Sequence, residues 1–169
     1  MVRGSIAGNF DVIHPGYIKM FRDCKKYCDY LIVFLHDDPS AERPEKCKPV
    51  LTVRERREVL MALEMVDKVV WYQTEADLYN LLKWYEPDVR FLGEDYIGKS
   101  FTGDDLPVRI HYLNRDHGWS TTKYKKLIAE SINEKNTITL TGNFFSRLWN
   151  FQKTELRRLF KRTEERRDT

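Results

Sequence analysis

Gly8-Asn9-Phe10-Asp11-Val12-Ile13-His14-Pro15-Gly16-Tyr17 is the stretch that decides the fold. The small and apolar segment Ser5-Ile6-Ala7 runs into Gly8, and a helical pattern begins just after His14. The stretch therefore predicts a first strand, a tight glycine turn and a helix N-terminus that carries a histidine. Backbone N–H groups at a helix start are unpaired and point outward, and the helix dipole favours negative charge there. Gly8 and Gly16 let the backbone approach a ligand closely. A phosphate is the natural guest, with His14 placed to donate to it.

Outward from this stretch, strand and helix patterns alternate, which predicts a parallel sheet covered on both faces. A helix is expected from about Pro15 to Tyr27, with Ile18, Phe21, Cys24 and Cys28 at helical spacing. Tyr30-Leu31-Ile32-Val33-Phe34-Leu35 is a continuous apolar run, as in a buried parallel strand. His36 closes it, and a polar loop follows to about residue 50. Thr52 caps a helix expected over Val53 to about Met65, with Glu55 completing a capping box. Further strands are expected at Lys68–Tyr72, Val89–Leu92 and Val108–Leu113. Helices are expected at Glu75–Tyr85 and from Ser120 to about Asn133. The fold class is α/β: a Rossmann-like, doubly wound parallel sheet of about five strands, with an added C-terminal helix.

Ligands of such sheets bind outside the carboxyl ends of the strands. Three polar clusters lie there: the opening stretch, Gly93-Glu94-Asp95-Tyr96, and Arg115-Asp116-His117-Gly118-Trp119-Ser120-Thr121-Thr122. In the third, a glycine and three hydroxyls open a helix directly after a strand. Capping alone accounts for one such hydroxyl. Three, together with Arg115 and Lys123, make a nest for polyphosphate.

Composition bounds the rest. The 169 residues fit one domain with an appendage, and 41% hydrophobic with 33% charged residues suits a globular protein. No apolar run approaches the roughly 20 residues needed to span a bilayer. The first strand follows Met1-Val2-Arg3-Gly4 directly, so no signal peptide is expected and a cytoplasmic location fits. Three cysteines argue against a disulfide framework. Cys24 and Cys28 read as small apolar residues on a helix face. A net charge of +3 is too small to imply a nucleic-acid partner.

The opening stretch resembles the G-x-F-D-x-x-H-x-G-H signature of the cytidylyltransferase branch of the nucleotidyltransferases, with Tyr17 where the family has its second histidine. Arg115 to Lys123 is similar to the family's R-x-x-G-x-S-T-T-K, which binds the β and γ phosphates. Gly93-Glu94-Asp95-Tyr96-Ile97-Gly98-Lys99 is similar to G-D-D-W-x-G-K on the nucleotide side. Glu55-Arg56 with Val66-Asp67-Lys68-Val69 resembles the E-x-R…V-D-x-V framework. The resemblance runs from about residue 4 to 128 and is closest to glycerol-3-phosphate cytidylyltransferase. Heptose-phosphate adenylyltransferases share much of the pattern.

The resemblance implies attack by a substrate phosphate oxygen on the α-phosphate of CTP, with pyrophosphate leaving. It assigns catalysis to His14, Tyr17, Lys46 and Arg115. It assigns nucleotide binding to Gly8, Asn9, Phe10, Gly16, Asp95, Arg115, Gly118, Trp119, Ser120, Thr121 and Thr122. Asp11, His36 and Lys48 are candidates for the acceptor. Lys46 and Lys48 either fold over the phosphates or belong to a solvated loop. His36 resembles the histidine of choline- and ethanolamine-phosphate relatives, or is a surface histidine. Mg2+ is expected on the nucleotide phosphates; Asp11 could assist it, but no dedicated metal cage is visible. A homodimer is expected from the family. Glycerol-3-phosphate enzymes use a lysine where this chain has Gln73-Thr74-Glu75-Ala76-Asp77-Leu78, so another phosphorylated alcohol or sugar is an open acceptor. Two rival readings stand: ATP with a sugar phosphate, and a nucleotide binder with little catalysis because of Tyr17.

The boundary of the catalytic domain is expected at 135, with a basic tail over 136–169. From Phe144 onward, eight Lys/Arg stand against four Asp/Glu. Phe145, Leu148, Trp149, Gln152, Leu156, Leu159 and Phe160 form a helical stripe. Such a helix packs on the core or a second subunit, lies on an anionic membrane, or touches nucleic acid, for which only its charge speaks.

Overall fold

The computed structural model describes residues 1–135; the basic tail expected over 136–169 lies outside them. Five strands, β1 (Arg3–Gly8), β2 (Tyr30–His36), β3 (Lys68–Tyr72), β4 (Val89–Gly93) and β5 (Arg109–Leu113), form one sheet in the order β3-β2-β1-β4-β5. All neighbours are parallel, with Ile6 opposite both Val33 and Phe91. Among the described residues the helices are α1 (Pro15–Cys24), α2 (Val53–Met61), α3 (Glu75–Tyr85) and α4, helical from 121 to 135. A single 3-10 turn, Glu94–Tyr96, follows β4. This is the doubly wound α/β architecture expected. The order reverses between β1 and β4, so a crevice opens beyond Gly8 and Gly93.

Strand periodicity explains the two-layer core. Leu31, Val33 and Leu35 of β2 face one layer with Phe21, Cys24 and Leu60 of α1 and α2. Ile32 and Phe34 face the other, with Leu78 and Leu82 of α3. Successive side chains of a strand point to opposite faces, so a run apolar throughout is buried on both. Cys24 and Cys28 are buried and free, and the Cys28 thiol donates to the Cys24 carbonyl.

The helix starts follow their caps. Pro15 occupies the first turn of α1. Thr52 and Glu55 form the expected capping box, and Thr74 with Asp77 forms a second one. The ends are shorter than periodicity suggests. After α1, Lys26 N–H donates to Asp23 and Tyr27 N–H to Cys24. After α2, Leu63 N–H donates to Leu60 and Val66 N–H to Leu63. These i to i+3 bonds tighten the chain out of the α-helix while keeping its apolar residues inward.

The chain divides into two compact units, Met1–Tyr124 and Lys125–Thr169. The described part of the second, 125–135, is helical with Leu127, Ile128 and Ile132 exposed. Among the described residues no helix is long and apolar enough to cross a membrane.

Candidate active site

His14 is the N-cap of α1 and makes no side-chain capping bond. Its ring is 6% exposed and its Nδ1 is buried without a hydrogen-bond partner. A buried polar atom left so is costly unless a ligand completes it. The ring lies between two tyrosines, with centroids 4.3 Å from Tyr17 and 5.3 Å from Tyr124. Trp119 extends the stack beyond Tyr124. Burial, and then the neighbouring His117, push the His14 pKa below its ordinary value, so the ring is neutral near pH 7 without ligand. A bound phosphate acts in the opposite direction.

Tyr17 does not stand free beside His14. Its phenol oxygen lies 2.9 Å from Thr121 Oγ1, and burial raises its pKa, so it stays protonated. Phe10 packs against the rings of Tyr17 and Phe21, 2% exposed, with a positive φ of 45° at the turn. A Cβ on Gly16 would come within 2.9 Å of His117 Cε1, Trp119 Cβ and His14 Cε1 alike. Only glycine lets the two motif loops close on each other here.

The second motif keeps its cap. Ser120 Oγ accepts from Lys123 N–H at 3.2 Å, and Trp119 N–H donates to His117 Nδ1 at 3.1 Å. Gly118 takes a left-handed φ of 68°. Thr122 and Lys123 are exposed at the same helix start. Arg115 is exposed and pairs with Asp95 at 3.3 Å, while its N–H donates to Glu94 at 3.0 Å. The guanidinium lies over Gly93, where a Cβ would be 2.7 Å from its Nε. Arg115 and Asp95 thus sit at the carboxyl end of β4, beside the crevice.

Other expected site residues have structural duties. Asp11 is fully buried and accepts N–H bonds from Val50 and Leu51 at 2.9 to 3.0 Å, pinning the 37–52 loop. Asn9 accepts twice from Arg56, through its backbone and side-chain oxygens, at 2.8 Å each. Gly8 ends β1. Arg56, 1% exposed, also donates to the carbonyls of Leu51, His36 and Asp37. It ties the ends of β1 and β2 to the loop. Lys46 and Lys48 are exposed on that loop, and Lys48 helps hold the Asp38 carboxyl low, after Ser40.

His36 is 1% exposed, and burial followed by the Arg43 charge lowers its pKa. The structure closes it from solvent, so contact with an acceptor requires the 37–52 loop to move. His36, Glu42 and Glu75 offer ligand atoms within 4.8 Å of one another. Protein donors already take both carboxylates: Arg43 and Thr102 on Glu75, the Glu75 N–H on Glu42. The cluster reads as a polar lock between the loop and the start of α3.

Three contributors were not singled out from the sequence: His117, Tyr124 and the full reach of Arg56. His117 had a signal, an imidazole one residue before the glycine of the second motif. Tyr124 had none, because its stacking depends on where α4 begins.

The family described as cytidylyltransferase-like matches residues 5–127. Bifunctional protein HldE of Aliarcobacter butzleri is 35% identical over 129 residues, 76% of this chain and 26% of that protein. Its counterpart in Sulfurimonas denitrificans is 37% identical over 117 residues, 69% and 24% of the two chains. The chain therefore spans about a quarter of these curated relatives. The lipopolysaccharide core biosynthesis protein of Thermoplasma volcanium superposes with a TM-score of 0.55 at 25% identity, covering 68% of this chain and 95% of that one. With its two motif turns closed around Gly16 and this match over most of its length, the chain belongs to the cytidylyltransferase-like family of nucleotidyltransferases.

Proposed function

We propose that this chain transfers a nucleotidyl group from a nucleoside triphosphate to the phosphate of a small sugar or alcohol, releasing pyrophosphate. The observation that carries this is the junction of the two helix starts. His14 with its unpartnered Nδ1, and the Ser120-Thr121-Thr122 turn, are joined through Tyr17 and Thr121. An acceptor phosphate oxygen forms a bond to the α-phosphorus. The bond from that phosphorus to the β-phosphate oxygen breaks, and the electron pair leaves with pyrophosphate. No protein nucleophile is needed, so catalysis is positioning and stabilisation of developing charge. His14 meets the transferring phosphate, and Arg115 and the α4 start hold the leaving phosphates.

Mg2+ neutralises phosphate charge in such reactions, and here it is proposed only as an ion carried by the nucleotide. Asp11 is spent on the loop rather than on the ion, because its buried carboxylate accepts the N–H groups of Val50 and Leu51.

CTP is the first nucleotide to test, on the family description. ATP with a sugar phosphate is the second reading. Relatives named HldE and a lipopolysaccharide core biosynthesis protein favour a sugar acceptor, and heptose-phosphate adenylyltransferases share this motif pattern. The test is pyrophosphate release from CTP and, separately, ATP with Mg2+ across phosphorylated sugars and alcohols. Release dependent on one acceptor supports the reading and names both substrates. Nucleotide binding without release from any pair overturns it in favour of a non-catalytic binder.

A further inference from the structure

We propose that His117 supplies the second imidazole of the phosphate site, in place of the histidine absent at position 17, and donates a hydrogen bond to the reacting phosphates. This rests on the nucleotidyl-transfer reading and names a further residue that performs it.

The geometry makes the case. The motif at α1 resembles one with two histidines a turn apart, and this chain has only His14 there. Tyr17 occupies the other place, but its hydroxyl is paired with Thr121 at 2.9 Å. An imidazole reaches the same place from the other motif. The Cε1 atoms of His14 and His117 both lie within 2.9 Å of the point where a Gly16 Cβ would stand. The two rings thus flank the N-terminal turn of α1, where the helix dipole gathers anions. His14 is buried with its Nδ1 unpartnered, so the turn already has one polar group awaiting a ligand.

His117 is also held in one tautomer. Trp119 N–H donates to its Nδ1 at 3.1 Å, which leaves the proton of the neutral ring on Nε2. That nitrogen is the one able to donate to a phosphate oxygen. A tyrosine hydroxyl already paired to a threonine offers less. The two imidazoles also sense each other, since His117 contributes to the lowered pKa of His14. A polyanion bound beside His14 favours the charged form of that ring and offsets the effect. His117 donates without giving up its proton, so the reaction balances as written above.

The test compares wild type, His117→Gln and the double variant Tyr17→His/His117→Gln in pyrophosphate release. We expect His117→Gln to lower kcat by about 100-fold, the usual cost of one phosphate-stabilising donor. KM for the nucleotide should change by less than about threefold, because Arg115 and the α4 start remain. The double variant should regain about tenfold or more, because it returns an imidazole to the turn. Turnover by His117→Gln within about threefold of wild type overturns the proposal and leaves the nucleotidyl-transfer reading standing. If wild type itself is silent with every substrate pair, that reading fails, and imidazole nitrogen NMR with added inorganic pyrophosphate decides for His117. Movement of its resonances together with those of His14 keeps it as a phosphate ligand; stationary resonances overturn it.

Discussion

The phenol oxygen of Tyr17 and Oγ1 of Thr121 lie 2.9 Å apart, joining α1 to the start of α4 across 104 residues. The bond ties the N-terminal turns of α1 and α4 to each other. Tyr17 stands where the resembled signature has a histidine: its ring stacks on His14, and its hydroxyl braces the second motif.

Tyr17→Phe keeps the stack and removes the brace. We expect a stability loss of about 1 kcal/mol, the net worth of one hydrogen bond. KM for the nucleotide should rise several-fold, with turnover within about threefold of wild type. Urea unfolding and steady-state kinetics check this. If turnover instead drops by two orders of magnitude, the phenol is a direct donor to the reacting phosphate.

Arg56→Met removes a guanidinium that satisfies carbonyls of Asn9, His36, Asp37 and Leu51. At 1% exposure there is little water to replace it. The cost is expected at about 3–5 kcal/mol, because buried acceptors and the buried Asp11 charge lose their partner. Arg56→Lys should recover only part, since an ammonium cannot reach carbonyls in so many directions. Urea midpoints of both variants measure this; a loss below about 1 kcal/mol for Arg56→Met contradicts it.

Arg115→Ala should separate activity from stability. The side chain is exposed and its pairing with Asp95 contributes little to folding. We expect stability within about 0.5 kcal/mol of wild type and a fall of about 100-fold in kcat/KM for the nucleotide. Unchanged kcat/KM would remove Arg115 from the phosphate site.

The Gly16→Ala and Gly118→Ala variants should fail differently. A Cβ at Gly118 meets nothing within 4 Å, so its cost is the left-handed φ alone, about 1–2 kcal/mol. At Gly16 the methyl collides with His14, His117 and Trp119, so the two motifs must part. Gly16→Ala should abolish nucleotide binding while Gly118→Ala retains most of it, as calorimetric titration would show. Equal binding by the two would contradict the close approach.

The pH dependence of stability follows from His36. Its folded-state pKa lies below the ordinary histidine value, so the unfolded chain binds the proton more readily. Stability is then level above about pH 7 and falls as pH drops below about 6.5. The loss continues until the folded-state pKa is passed. His14 shifts the same way. Urea midpoints between about pH 5 and 7.5 should slope less in His36→Gln than in wild type. Equal slopes would show that the buried ring does not govern this range.

Most of the fold was legible because its signals are local. β3 and α3 begin and end at the residues their patterns name, Lys68–Tyr72 and Glu75–Tyr85. Thr52 and Glu55 announced their own capping box. The helix ends at Cys24 and Met61 were not legible, because the apolar spacing continues while the hydrogen bonds tighten. The two motifs could be read singly, and their meeting at Gly16 is a property of the strand order. Asp11 and Asn9 show the limit of motif reading. Both fall inside the signature, yet their polar atoms are spent on the 37–52 loop and on Arg56. Such duties depend on residues about 40 positions away, which no local pattern reveals.

The central claim is that an acceptor phosphate attacks the α-phosphorus at the junction of the two turns. It is tested most directly with an acceptor whose phosphate oxygens carry 18O, incubated with the nucleotide that supports pyrophosphate release. The account predicts a nucleoside diphosphate-linked product with 18O in the bridge between its two phosphates, seen as an isotope shift on both phosphorus signals, and unlabelled pyrophosphate. Label in the pyrophosphate, or a product whose bridge lacks 18O, would contradict it.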